Sequence, residues 1–368
     1  MRTMCAAVLY EAQQPMQLEE VQLDEPQAGE VLVRMAASGV CRSDLHVLKG
    51  EWKAPLPIVL GHEASGRVEA VGPNVARVKA GDPIVLSFAP NCGYCRYCVS
   101  GRAHLCATMR AETPGMMPGG STRLHRNGQR INHFARTASF AEYAVIHESA
   151  AIPIGSDVSL ELAALVGCSV STGVGAVLNT AQVPPGSSVA VVGCGGVGLN
   201  VIQGARLVNA APIMAVDVSE EKLEFAQRFG ATEVVDARDP DALRRIRRLT
   251  EGGVDFAFEA LGTGPTIRLT VDAVRPGGTA VIVGMAPHGE EAALDAYLLT
   301  YQEKTVKGCF YGSIRARLDM PRLIALAQSG KLDIGDLVTR RSPLAEINEA
   351  YAALDRGETG RGLIVFGG

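Results

Sequence analysis

Short apolar runs punctuated by glycine and proline fill the first 170 residues, and no sustained helical period accompanies them. Cys5–Tyr10, Glu30–Ala37, Ala64–Val71, Pro83–Phe88 and Phe140–Ile146 predict strands, so this half reads as a mainly β domain with loops. From about residue 171 the rhythm changes. Strand-like runs at Ser188–Val192, Pro212–Val216, Glu233–Val235, Val254–Glu259, Thr279–Val283 and Thr305–Tyr311 alternate with helix-length segments such as Ser219–Phe229, Asp239–Thr250 and Pro265–Val274. That alternation predicts a doubly wound α/β sheet of the nucleotide-binding kind. The last stretch, 313–368, has mixed periodicity and ends in the strand-like Gly362–Phe366, expected to rejoin the first domain. The expected domains are 1–170 completed by 313–368, and 171–312.

Composition narrows the function classes. A net charge of −4 argues against a nucleic-acid partner, which would call for a basic face. No apolar run approaches the roughly 18 residues that span a bilayer, so no membrane partner is expected. The start, MRTMCAAVLYEAQQP, meets Glu11 and Gln13 too early for a signal-peptide core. A cytoplasmic location follows as an expectation, and thiols stay reduced there.

The second half carries a coenzyme signature. Gly193, Gly195, Gly196, Val197 and Gly198 form a G-x-G-x-x-G loop between an apolar strand and the apolar-rich segment Val197–Val208. The first glycine permits the turn, the second lets backbone approach a pyrophosphate, and the third allows close helix–strand packing. Asp217 lies 24 residues after Gly193 and suits the ribose hydroxyls of NAD. A carboxylate there repels the 2′-phosphate of NADP. Lys222 either reaches the same ribose or is a solvated charge on the helix Ser219–Phe229.

The first half carries candidate metal chemistry. Cys92, Cys95, Cys98 and Cys106 are spaced C-x2-C-x2-C-x7-C, with Gly93 and Gly101 giving turning freedom. Four thiolates close a tetrahedron around structural zinc and leave no position for substrate. An iron–sulfur cluster and disulfides are the alternatives. Cys41, His62 and Cys168 are more dispersed. Cys–His–Cys with an open fourth position is a catalytic zinc set, but a lone cysteine or histidine is more often core, so spacing leaves their meeting open.

The string CRSDLH (residues 41–46) resembles the C-x-[ST]-D-x-H motif, and GHEASGRV (61–68) resembles GHE-x-x-G-x-V, of the zinc-dependent medium-chain alcohol dehydrogenases. The four-cysteine lobe, GCGGVG and the C-terminal GETGRGLIVF follow in that family's order, so the resemblance covers essentially the whole chain. The segment Glu112–Gly120 and the insertion to Arg136 resemble the longer animal and bacterial members. The resemblance implies a GroES-like catalytic domain plus a Rossmann coenzyme domain, and two zinc ions per chain. Cys41, His62 and Cys168 would hold the catalytic ion, with the carboxylate of Glu63 nearby. Cys92, Cys95, Cys98 and Cys106 would hold the structural one. Ser43 would take the substrate's hydroxyl proton and pass it, by way of the nicotinamide ribose, to His46 at the surface. Arg42 and Arg361 match cationic positions near the pyrophosphate, and Thr172 matches a contact to the nicotinamide.

The family's substrate cleft corresponds to Trp52, Phe88, Phe134, Met285 and Phe310. Large apolar groups there favour an apolar or aromatic primary alcohol or its aldehyde as the small-molecule partner. Arg110 matches a basic residue of glutathione-dependent formaldehyde dehydrogenases, but the Gly50–Pro57 loop is shorter than theirs and carries Trp52 where they tend to be acidic. Reversible, NAD-dependent alcohol oxidation is therefore the leading reading. A thiol-dependent formaldehyde dehydrogenase, or an NAD-binding zinc-thiolate redox sensor without turnover, are the rivals. By family analogy the edge Thr305–Tyr311 pairs with its twin to make a homodimer, with a tetramer as the alternative.

Overall fold

The computed structural model describes residues 1–367. Two compact units divide them. The first holds Met1–Cys168, Arg315–Gln328 and the chain from Ile334 onward; the second holds Ser169–Ile314 and Ser329–Asp333. The small return at 329–333 has a local cause: Gln203 donates to the Asp333 carbonyl at 3.1 Å and accepts its N–H at 2.7 Å.

In the first unit the strands are β1 (Arg2–Leu9), β2 (Gln17–Leu23), β3 (Glu30–Gly39), β4 (Ile58–Val59), β5 (Ala64–Val71), β6 (Pro83–Leu86), β7 (Leu124–Arg126), β8 (Gln129–His133), β9 (Tyr143–His147) and β10 (Ala151–Pro153). Short helices interrupt them: α1 (Arg42–Leu48), α2 (Arg96–Val99), α3 (Ala107–Arg110) and α4 (Leu160–Val166). β1, β2, β7, β8 and β4 close a barrel. β3, apolar on both faces, is the centre of the other sheet, with β5 and β9 as antiparallel neighbours. Cores of buried Val, Leu, Ile and Ala fill the barrel and underlie the sheet.

The second unit begins with the buried helix α5 (Ser169–Gly175). It continues through β11 (Val189–Val192), α6 (Gly196–Leu207), β12 (Ile213–Asp217), α7 (Glu220–Arg228), β13 (Glu233–Asp236), α8 (Ala242–Leu249), β14 (Val254–Glu259), α9 (Gly264–Ala273), β15 (Val274–Ile282), α10 (Ala296–Tyr301) and β16 (Thr305–Gly308). The six parallel strands lie in the order β13-β12-β11-β14-β15-β16. The order reverses beside β11, which puts the switch point of a doubly wound sheet at the end of that strand. β16 stops at Gly308 rather than continuing to Tyr311, because Tyr311, Gly312 and Ser313 all adopt positive φ and turn the chain.

The chain then adds α11 (Ala316–Gln328), β17 (Val338–Pro343), α12 (Ile347–Asp355) and β18 (Arg361–Val365) to the first unit. β18 pairs antiparallel with β3 through Leu363–Gly39, Ile364–Ser38 and Val365–Ala37. Among the described residues no single helix is long and apolar enough to cross a membrane.

One buried histidine makes the barrel acid-sensitive. His133 ends β8 at 1% exposure, and its Nε2 accepts the Arg123 N–H at 3.3 Å. Burial, reinforced by the positive charge of Arg123, pushes His133 down to about 3 from the usual 6.5. The unfolded chain takes up a proton at pH values where the folded one does not. Stability is therefore complete above about pH 6.5 and falls, by up to about 1.4 kcal/mol per pH unit, as pH drops toward about 3. His133→Gln, which keeps an acceptor for Arg123, is expected to lose about 2 kcal/mol less than wild type between pH 6.5 and 5 in urea titrations. Parallel losses in the two proteins would remove His133 from the account.

Candidate active site and metal centres

Four sulfurs converge in the loop that leaves β6. Cys95 and Cys106 immediately precede α2 and α3, so two helix starts hold two of the four. Sγ of Cys95 lies 3.6 Å from Cys98 and 3.9 Å from Cys106, and Cys92 lies 3.9 Å from Cys98. A tetrahedron with zinc–sulfur distances of ~2.3 Å has edges of about 3.8 Å, so the spacing suits one ion. An iron–sulfur cluster needs its cysteines farther apart, and all nine cysteines are free, so no disulfide competes. Donors are already aimed at the sulfurs. Cys92 Sγ accepts from Cys95 N–H and from Thr108 Oγ1, and Cys106 Sγ accepts from Cys92 N–H, each at 3.3 Å. A backbone N–H from Cys98, with others nearby, brings Cys95 down to about 6, while burial sends Cys98 up to about 12.

A second group, Cys41, His62 and Cys168, is wholly buried, with its ligand atoms within 4.8 Å of one another. Three elements of the first unit deliver it. Cys41 sits between β3 and α1, His62 between β4 and β5, and Cys168 just beyond α4. Gly61, at φ 92°, makes the turn that presents His62, and a Cβ there would press on Ser139. Its N–H donates to Asp44 Oδ1 at 2.8 Å. The same carboxylate lies 3.1 Å from His62 Nδ1, which leaves Nε2 as the ring nitrogen for a metal. A hydrogen bond from Cys168 holds Cys41 well below the usual thiol range, and that bond together with burial drives Cys168 well above it. Burial works against charge on His62, but Asp44 and Cys41 together raise it well above the usual range.

Glu63 and Arg361 form a fully buried ion pair beside these sulfurs. Gly39 makes room for it, since a Cβ would fall on the Glu63 carboxylate. The sequence match places Arg361 near a pyrophosphate. In the fold β18 packs on β3, and the side chain is 5% exposed and paired with Glu63. Its positive charge bears on Cys41 and Cys168.

Two aromatic side chains flank the Cys41–His62–Cys168 group. The His62 ring meets Phe88 edge-on at 5.3 Å and Phe134 at 5.6 Å. Ser43 and His46, three residues apart, share one face of α1. His46 is not at the surface as expected. It is only 8% exposed, because Trp52 stacks on its ring at 4.6 Å while Nδ1 contacts Glu51. Arg42 is exposed at the start of α1, and Arg110 at the end of α3.

In the second unit the glycine loop joins β11 to α6. Gly193 has φ 95°, Gly195 precedes the helix, and a Cβ on Gly198 would strike the Gly193 carbonyl. Asp217 ends β12, beside this loop. Its oxygens accept the Cys194 N–H at 2.8 Å and the Ser219 N–H at 3.0 Å. Lys222, in the first turn of α7, is near enough for its charge to bear on Cys194. Thr172 is 8% exposed on α5; Met285 is 49% exposed and Phe310 partly buried.

Residues 27–156 match the family model described as alcohol dehydrogenase GroES-like domain, and 196–329 the one described as zinc-binding dehydrogenase. S-(hydroxymethyl)glutathione dehydrogenase of Saccharomyces cerevisiae is 39% identical over 96% of this chain and 94% of its own. The chain belongs to the zinc-dependent medium-chain alcohol dehydrogenases. Among solved members of this family, an alcohol dehydrogenase zinc-binding domain protein from Burkholderia ambifaria superposes with a TM-score of 0.95 at 36% identity. Benzyl alcohol dehydrogenase from Acinetobacter calcoaceticus does so with 0.94 at 35%. Both alignments cover 100% of each chain.

In this dehydrogenase the fold brings together Cys41, His62, Cys168, Glu63, Phe88 and Phe134, and separately Ser43, His46 and Trp52 on and after α1. Two contributors escaped sequence reasoning. Asp44 lies inside the CRSDLH motif, so its orienting role was within reach. Glu51 carries no motif at all; only the fold-back of the chain after α1 shows it.

Proposed function

We propose that the chain is an NAD-dependent alcohol dehydrogenase that interconverts apolar, preferably aromatic, primary alcohols and their aldehydes, with two zinc ions per chain. The observation that carries this reading is the buried Cys41–His62–Cys168 group with two aromatic rings set edge-on to its histidine. Three ligands leave one position for a substrate oxygen, whereas the four-cysteine lobe leaves none, and is structural. When bound, zinc supplies Lewis acidity and NAD accepts hydride. The protein's own residues do the rest. Asp44 holds His62 in the tautomer that can ligate. Glu63 and Arg361 keep a paired charge next to the sulfurs rather than an isolated one. Phe88, Phe134 and Trp52 exclude water and offer apolar contact. Ser43 takes the hydroxyl proton and His46 passes it out.

The coenzyme preference rests on Asp217, whose carboxylate would repel a 2′-phosphate; Gly193, Gly195, Gly196, Val197 and Gly198 would seat the pyrophosphate, with Arg42, Lys222 and Thr172 as further contacts. The exposed edge strand β16 would pair with its twin in a homodimer. Nine free cysteines suit the cytoplasm.

Thiol-adduct oxidation is the second reading, supported by Arg110 and by the yeast relative. Spectrophotometry across benzyl, terpene and straight-chain alcohols, with NAD or NADP, and formaldehyde with or without glutathione, separates the two. Thiol-independent NADH formation, strongest with benzyl-type alcohols, is expected. Activity confined to formaldehyde plus glutathione would establish the second reading, and NAD binding without turnover would leave only a sensor.

A further inference from the structure

After α1 the chain turns back on itself. Gly50 takes φ 75°, and the N–H groups of Glu51 and Trp52 both donate to the His46 carbonyl, at 2.9 and 3.1 Å. This wrap lays the Trp52 indole on the imidazole at 4.6 Å and 20°. It also brings the Glu51 carboxylate to Nδ1 at the ring's edge. The His46 side chain is 10% exposed and that of Glu51 37%, so a nearly enclosed ring touches a carboxylate open to water.

We infer that Glu51 is a positioning residue for His46: its carboxylate fixes the ring so that Nε2 is the nitrogen that takes up the proton released from substrate. The inference deepens the proton-relay reading above and rests on it. An ionised carboxylate only accepts, so Nδ1 must carry the hydrogen and the lone pair of the neutral ring falls on Nε2. When Nε2 gains a proton, the resulting imidazolium faces a negative charge that stabilises it. The proton then leaves from Nε2 to water, and Glu51 stays ionised throughout; only N–H bonds form and break. Orienting carboxylates serve catalytic histidines of hydrolases in this way. Neighbouring charges are occupied elsewhere or point outward. Asp44 contacts Gly61 and His62, Lys49 pairs at 2.5 Å with Asp355 of α12, and Arg42 and Lys53 are exposed.

Trp52 is the chain's only tryptophan, so its emission reports the ring beneath it. An imidazolium quenches a stacked indole more than the neutral ring does. In coenzyme-free protein, wild-type emission is expected to fall in one step on acidification. H46Q should lose that step, and E51Q should displace it toward acid. In the holoenzyme E51Q should lose about tenfold in kcat below about pH 7, with KM for alcohol nearly unchanged, and recover at alkaline pH. An E51Q emission curve that overlays the wild type overturns the inference, as does an unchanged kcat profile where H46Q is impaired. If H46Q turns over normally, the relay reading fails instead, and the emission curve alone decides whether Glu51 orients the ring.

Discussion

Cys168→Ser is expected to lower turnover by about a thousandfold or more and to reduce the bound zinc from two ions to one. A loss of that size corresponds to about 4 kcal/mol of transition-state stabilisation, the scale set by removing a major electrostatic contributor. The physical reason lies in burial. Cys168 is 6% exposed, and its sulfur stands against Cys41 within reach of the Arg361 charge. A thiolate there balances a cation; a serine hydroxyl, far less acidic and harder, does not. The substitution is nearly isosteric, so the fold should survive, and circular dichroism would verify this. Zinc content and kcat with an accepted alcohol are the measurements. Intact turnover in the serine variant would refute the assignment of this group to the catalytic metal.

The second large effect is on stability rather than chemistry. Cys106→Ala is expected to lose the other zinc, to lower the melting temperature by about 10 °C, and to expose residues 92–106 to proteases. Structural zinc in small modules contributes on the order of 10 kcal/mol of folding free energy. Here the lobe is one part of a larger unit, so the global loss should be a few kcal/mol, with the rest appearing as local unfolding. Cys106 is the most buried of the four, at 2% exposure. The consequences should extend toward the substrate side, because Arg136 reaches from the loop behind Phe134 to donate to the Met109 carbonyl at 2.6 Å. Differential scanning calorimetry and limited proteolysis test this. A variant that retains both zincs and melts like wild type would show that these sulfurs hold nothing.

The features that were legible in the chain share one property: their parts are close in sequence. The glycine loop, its flanking strand and Asp217 belong to one βαβ unit, where backbone geometry dictates residue type. The four cysteines likewise sit in one short loop, and their tetrahedral spacing follows from turns that glycine permits. Elements with weak local signals were not read. β2, QLEEVQL, lies in a barrel with one face in water, so its polar side chains mask the alternation. α4, LELAALV, is too short to establish a helical period.

The proposed catalytic group shows the limit from the other side. Sequence alone supplied Cys41, His62 and Cys168 as candidates of the right chemistry, and family motifs tied them together. Their convergence within 4.8 Å depends on three separate connections of the first unit closing on one another. Arg361 and His46 have surroundings that the sequence does not show. In both cases the side chain's type was read correctly, but its environment came from partners distant in the chain or outside any motif. For Arg361 it is Glu63, reached only because β18 pairs with β3. For His46 it is the fold-back that covers the ring with Trp52 and Glu51. Local geometry and spacing determine which chemistry this protein carries. Which charges face each other in the dry interior is decided only by tertiary packing, since burial and long-range pairing are properties of the assembled fold.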